Sequence, residues 1–149
     1  MVIQATLEQV PQVAELFDLY RQFYDQPADF PKAEAFIRAR LENEESTIFL
    51  AYDEGVAVGM VQLYPSFCSV EAIKIQILYD LYVRPDFRRR GLAEKLMNRA
   101  AAFAVERGAG RVDLLTGTDN RAGQALYQKL AYVRSLDDFI GYSLELNDA

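Results

Sequence analysis

Residues 84–96 read RPDFRRRGLAEKL, and this stretch decides how the rest of the chain is assembled. Before it, AIKIQILYDLYV (72–83) alternates Ile73, Ile75 and Ile77, then Tyr79, Leu81 and Val83, against polar or amphipathic residues, the period-two mark of a long strand. After it, Leu92, Leu96, Ala100 and Phe103, with Ala93, Met97 and Ala104, recur at helical spacing up to Arg107-Gly108, where a glycine ends the helix. A strand therefore feeds a helix through a junction carrying Arg88, Arg89 and Arg90. A helix N-terminus bears a partial positive charge, so a cation placed there costs about 0.3–1 kcal/mol. An anion bound at the junction accounts for the placement. The unpaired N–H groups of a first helical turn suit phosphate, and the small residues Gly91 and Ala93 let it approach the chain. The competing account, solvated arginines on a surface turn, stays open for each arginine taken singly.

Working outward, VIQA is a short apolar alternation, and Thr6-Leu7-Glu8-Gln9 fits a capping box that opens a helix. Val10, Val13, Leu16, Phe17, Tyr20, Phe23 and Tyr24 give that helix one apolar stripe, ending near DQPADFP (25–31). Pro31 suits the first turn of a second helix, with Phe36, Ile37 and Leu41 on one face before NEES (43–46). STIFLAYD (46–53) and VAVGMVQLY (56–64) read as strands joined at Asp53-Glu54-Gly55, with Pro65 expected to end the second. Beyond the central helix, RVDLLT (111–116) reads as a strand. Asp119 or Asn120 caps a further helix with Ala122, Leu126 and Leu130 as its stripe. YVRS (132–135) and FIGYSLEL (139–146) are expected to be two closing strands. The order β-α-α-β-β-β-α-β-α-β-β predicts an α/β (α+β) fold, a mixed, mostly antiparallel twisted sheet flanked by helices, as one domain over 1–149.

Composition narrows the function. With 149 residues, 51% of them hydrophobic, the chain has material for one buried core. A net charge of −6 repels a nucleic-acid backbone, so no nucleic-acid partner is expected. The start MVIQATLEQVPQ lacks a basic segment followed by an apolar run, and no stretch approaches the roughly 20 apolar residues of a membrane span. The expectation is a soluble, cytoplasmic protein without a membrane partner. One cysteine excludes an internal disulfide, and the lack of histidine excludes a cysteine–histidine pair or an imidazole metal site. No metal is expected. Cys68, in the turn-like PSFCSV, has no evident activating base and reads as an ordinary thiol.

Neither G-x-x-x-x-G-K-[ST] nor G-x-G-x-x-G occurs at the junction, and GAGRV near Gly108 follows a helix and reads as a connecting turn. What does occur is Arg88-Arg89-Arg90-Gly91-Leu92-Ala93, R-x-x-G-x-A. It resembles the acetyl-coenzyme A signature of the GCN5-related N-acetyltransferase family, usually Q/R-x-x-G-x-G/A. Downstream, NRAGQALYQKLAY (120–132) is similar to that family's second signature, an asparagine, then a helix with leucine-tyrosine, then usually glycine-phenylalanine. The element order matches as well.

The resemblance implies that backbone groups of Leu81, Tyr82 and Val83 pair with the pantetheine arm of acetyl-CoA. It also implies that the N–H groups from Arg89 through Arg90, Gly91, Leu92 and Ala93 to Glu94 cradle the pyrophosphate. Asn120 belongs to the implied coenzyme set, and Arg88, Arg89 or Arg90 meets coenzyme phosphates by charge-assisted hydrogen bonds. Tyr127 matches the tyrosine placed near the coenzyme sulfur and is the implied acid. The implied base is a carboxylate or a water; Asp80 on the cofactor-bearing strand is the candidate, and Glu71 a weaker one. Strand alternation leaves open which face Asp80 shares with the acceptor. The sequence departs from the family at Ala131-Tyr132, in place of glycine-phenylalanine, which predicts a less tight turn after the last helix, and at Ala93, in place of the more frequent glycine.

The chemistry sets requirements of its own. An alkylamine with a pKa of about 10 must lose its proton before attacking a thioester, which at pH 7 costs about 4–5 kcal/mol and calls for a base or a desolvating pocket. The leaving thiolate gains from a nearby acid. YRQFYDQPADFP (20–31), in the segment that frames the acceptor in this family, is aromatic and acidic and suits a cationic amine. The first expectation is therefore transfer of acetyl to a primary amine of a small molecule, such as a polyamine, amino acid or aminated drug, by direct transfer in a ternary complex. Protein lysine or N-terminal acetylation is an alternative, and a non-catalytic acyl-CoA-binding or sensing module is an alternative of another class. The terminal strands offer an edge for a homodimer.

Overall fold

In the computed structural model, which describes residues 1–146, the alternating segments form one five-stranded sheet in sequence order. Its strands are β1 (Val2–Gln4), β2 (Thr47–Asp53), β3 (Val56–Cys68), β4 (Ile73–Val83) and β5 (Arg111–Asp113). Pairing is antiparallel from β1 to β4, whereas β4 and β5 are parallel and meet only at Ile75–Ile77. The helices are α1 (Val10–Phe23), α2 (Phe30–Glu42), α3 (Leu92–Glu106) and α4 (Arg121–Lys129). The chain forms two compact units, Met1–Leu115 with the sheet and the first three helices, and Thr116–Ala149 with α4.

Local chemistry explains the element ends. Thr6 and Gln9 close the expected capping box, Gln9 Oε1 accepting from Thr6 N at 2.7 Å. Asp29 caps α2 by accepting from Lys32 N at 3.1 Å, with Pro31 in the first turn. Glu54 and Gly55 both have positive φ (49° and 79°), the conformation of a two-residue hairpin turn whose twist matches the flanking strands.

Alternation along β2 sorts side chains to two faces. Ile48 and Leu50 join Met60 and Tyr82 beneath Val10, Val13, Leu16 and Phe17 of α1 and Ala33 and Ile37 of α2. Phe49 points to the opposite face and meets Phe103 of α3 edge to face, with ring centroids 5.6 Å apart. The helix lies close on that face because Gly59 has no side chain. A Cβ there would stand 3.1 Å from the Tyr82 carbonyl oxygen and 3.2 Å from Leu96 Cδ1.

Several expectations are corrected. Pro65 does not end β3, which runs on to Cys68. The last β2 partner is Leu63, so at Pro65 the strand has become an edge, where a missing N–H is tolerated. Cys68 is accordingly the last residue of a strand, paired with Ile73, and not part of a turn. The α1 stripe is buried only as far as Phe17; Phe23 and Tyr24, at the helix end, are 60% and 50% exposed. The fifth strand is three residues long instead of six. Among the described residues YVRS and FIGYSLEL form no strand, since an apolar alternation needs a partner strand and this segment pairs with none.

Candidate active site

The junction that opened the sequence reading is built from left-handed backbone. After a short 3-10 turn at Pro85–Phe87, Arg89 (φ 65°) and Gly91 (φ 77°) turn the chain into α3. A Cβ on Gly91 would touch nothing within 4 Å, so glycine is favoured there by conformation and not by space. The starts of α2 and α4 are capped by Asp29 and Asn120, but no side chain caps α3. Its first-turn N–H groups and the positive end of its dipole are left for a ligand.

The arginines divide. Arg88 Nε donates to the Val83 carbonyl at 2.8 Å, and Arg90 Nη1 pairs with Asp53 Oδ2 at 3.1 Å. Both side chains thereby tie the loop to strand ends. Among the described residues nothing pairs with the Arg89 side chain. Leu92 is buried against the sheet side of α3, while Ala93 and Glu94 are half-buried.

Beyond Ile77, β4 has β3 on one side and, among the described residues, no strand on the other, so Leu81, Tyr82 and Val83 lie along an open edge. The β3–β4 register slips at this point: Gln62 faces Asp80 and Leu63 faces Leu78, which leaves Tyr79 as the extra residue of a bulge. The slip decides the side of the sheet on which Asp80 lies. Asp80 turns inward to the α1 face at 4% exposure, beside Gln62, while Tyr79 is 66% exposed.

Asp80 ends a buried polar chain. Ser46 Oγ donates to Gln62 Oε1 at 2.7 Å, and Gln62 Nε2 donates to Asp80 Oδ2 at 2.5 Å. Burial pushes the Asp80 carboxyl above the usual carboxylate range, opposed by hydrogen bonding from Gln62 and Tyr20. The Tyr20 hydroxyl donates to the Tyr79 carbonyl at 3.1 Å. Burial first, then the Asp80 charge, raises the Tyr20 pKa and pushes that of Tyr64 up to about 12. Tyr64 packs edge to face on Tyr79 at 5.7 Å, and Tyr20 on Tyr24 at 5.1 Å. A buried carboxyl whose pKa is raised is a stronger base than a solvated one, and it can take a proton from a bound ammonium while the neighbouring aromatic rings give that ammonium cation–π contact.

The other candidates belong to other elements. Glu71 is an exposed hairpin residue ion-paired with Arg111, which lowers its pKa and makes it a weak base. Arg111 also holds Asp113 at 2.8 Å, and Cys68 Sγ lies 3.4 Å from Glu71 Oε2. In the unit from Thr116 on, Asn120 caps α4, its Oδ1 accepting from Gly123 N at 3.0 Å, which is a structural role. Tyr127 is half-buried on α4, its ring tilted against Tyr132 at 6.1 Å. The turn after α4 is not loosened by Ala131. Tyr132 N bonds Tyr127 O at 2.9 Å and Ala131 N bonds Gln128 O at 3.1 Å, closing a full C-terminal motif with Ala131 at φ 69°.

Ser46, Gln62 and Tyr64 escaped the sequence reading as site residues, whereas Tyr20 opens the aromatic segment 20–31 already singled out. The available signal was Gln62 itself, a glutamine inside the apolar run VAVGMVQLY. Among the described residues no group of three or more metal-ligating side chains is placed to hold an ion, and no helix is long and apolar enough to cross a membrane.

The profile of the Acetyltransferase (GNAT) family matches residues 12–132, and the chain belongs to that family. It is 40% identical over 143 residues to the uncharacterized N-acetyltransferase YhfO of Bacillus subtilis (strain 168), covering 96% of this chain and 95% of that one. A crystal structure of a probable acetyltransferase superposes with a TM-score of 0.89 at 34% identity, covering 100% of this chain and 99% of that one. The aminoglycoside N-acetyltransferase AAC(6')-Iy in complex with CoA shares the fold, with a TM-score of 0.83 at 18% identity over 98% of this chain and 95% of that one. The protein is thus an N-acetyltransferase of mixed α/β fold, in a family that uses acetyl-CoA.

Proposed function

We propose that this protein transfers the acetyl group of acetyl-CoA directly to a primary amine of a small cationic molecule, with Asp80 as the group that binds and deprotonates the amine. The observation that carries the reading is the placement of Asp80: 4% exposed, hydrogen-bonded by Gln62 and neighboured by Tyr20, Tyr64 and Tyr79, on a strand whose far edge, among the described residues, has no partner beyond Ile77. Surroundings of this kind lower the cost of deprotonation in two ways, by partial desolvation of the ammonium and by a base whose pKa is raised.

The coenzyme fits the residues present. The uncapped start of α3, opened by left-handed Arg89 and Gly91, supports pyrophosphate on the N–H groups from Arg89 to Glu94. The open edge at Leu81–Val83 supports strand-like pairing with the pantetheine arm, and Arg89, unlike Arg88 and Arg90, keeps its charge available for a phosphate. Acetyl-CoA supplies the thioester, and Tyr127 is the proposed acid for the departing thiolate by its match to the family's second motif. The closing alternation Ile140, Tyr142, Leu144, Leu146 is at least 67% exposed, which supports pairing of this segment with a second copy of the chain; a monomeric mass by light scattering defeats that part.

The test is free-thiol release from acetyl-CoA across polyamines, amino acids, aminoglycosides and lysine peptides. Turnover confined to small amines is expected. Turnover confined to peptides assigns the protein acceptor, and wild-type turnover by Asp80→Asn removes Asp80 from the mechanism.

A further inference from the structure

We infer that Gln62 and Ser46 are positioning residues for the reaction: Ser46 fixes the Gln62 amide, and the amide fixes the Asp80 carboxyl group. The inference rests on the proposed role of Asp80 and concerns buried residues that reach the reaction only through it.

The amide of a glutamine has one donor end and one acceptor end, so its two neighbours decide which way it faces. An ionised carboxylate only accepts, and Asp80 Oδ2 lies 2.5 Å from Nε2. The Ser46 hydroxyl, free to rotate, then completes the chain by donating to Oε1 at 2.7 Å. Every link is satisfied with Asp80 ionised. If Asp80 carries the proton, the amide loses its reason to face this way. The chain is buried throughout, with Gln62 at 0% and Ser46 at 9% exposure, so water does not compete for its bonds. A purely structural β3 would place an apolar residue at 62, as it does at Met60 two positions earlier on the same face.

Among the other groups near Asp80 only Tyr20 also acts on it by hydrogen bonding, and by less than Gln62. From α1 come Tyr20 and Tyr24, from β3 Tyr64, and from β4 Tyr79; Tyr20 and Tyr64 are held protonated, and Arg40 and Glu45 act on Tyr64. Burial raises the Asp80 pKa, and the Gln62 hydrogen bond is the leading opposing influence. Removing it therefore moves ionisation to still higher pH.

The deciding measurement needs only the full-length protein: carbon-13 NMR titration of the Asp80 carboxyl in wild type, Gln62→Met, Ser46→Ala and Ser46→Thr, alongside the pH dependence of kcat/KM on the fastest amine of the panel. Loss of a hydrogen bond to a charged group corresponds to an upward shift of about one to two pH units in Gln62→Met, in both the titration and the acid limb of the rate profile. Ser46→Ala shifts the same way by less, and Ser46→Thr restores the wild-type value. Folded Gln62→Met and Ser46→Ala with an unmoved Asp80 titration overturn the inference. If Gln62→Met does not fold, Ser46→Ala against Ser46→Thr decides it. A shifted titration with a rate profile that does not follow it keeps the contact but sinks the positioning role and, with a fully active Asp80→Asn, the base assignment too.

Discussion

The two faces of the sheet are built by the same strands and serve different ends. On the α3 face the packing beneath the helix is dry, Phe49 against Phe103 and Leu96 against the backbone at Gly59 with Met97 and Ala100 buried beside them, and a buried polar side chain, Gln76, enters only further back along β4. The α1 face begins the same way at Leu50 and Met60, but one strand step further along it becomes polar at Gln62 and Asp80. Buried polar groups destabilise a core unless every bond is made, and even then an apolar replacement is often no worse. A face that could have stayed apolar and did not is the face to search for chemistry.

Breaking the wet face has the largest expected effect. Asp80→Asn should lower kcat/KM about 10²–10⁴-fold, the usual range for a lost general base, with coenzyme affinity retained. Its stability should move the other way. The folded carboxyl keeps its proton to higher pH than the unfolded one, so the folded state binds more protons once pH exceeds about 4, and wild type loses stability as pH rises through the raised Asp80 pKa. Denaturant titrations from pH 4 to 8 should show Asp80→Asn gaining on wild type as pH increases; a constant or narrowing difference contradicts a raised pKa.

Breaking the dry face should cost stability instead. Leu96→Ala removes a fully buried side chain and should lose about 2–5 kcal/mol, with the acid limb of the rate profile unmoved. A shifted limb in this variant would show that the faces are coupled. Outside the sheet, Tyr127→Phe should reduce turnover by about 10²-fold with coenzyme binding unchanged if the phenol is the acid, and an unchanged rate removes that assignment. The smallest effect belongs to Ala131→Gly, which relieves a left-handed alanine and should stabilise by about 0.5–1 kcal/mol in thermal or denaturant unfolding.

Much of the fold was legible because it is written in local periodicity. The helix from Leu92 to Glu106, the long β4 and the Glu54-Gly55 hairpin follow from spacing and turn chemistry alone. What failed depended on partners. Pro65 fits inside β3 only because β2 stops pairing at Leu63, and among the described residues YVRS and FIGYSLEL stay unpaired because a strand is defined by its neighbour. Phe23 and Tyr24 repeat the α1 stripe, yet a stripe is buried only where something covers it.

By itself the sequence determined the class of protein, since R-x-x-G-x-A between a strand and a helix and the second motif at 120–132 are local patterns. It also placed the uncapped α3 start at Gly91, because dipole, glycine and arginines are all adjacent in the chain. Only the tertiary structure decided which arginine is free, which way Asp80 faces and what holds it. Arg90 meets Asp53 across 37 positions, and Gln62 meets Asp80 across 18. A one-residue slip of register at Tyr79 carries the carboxyl inward, and no count of alternating residues contains that slip, because a bulge is a relation between two strands and not a property of either.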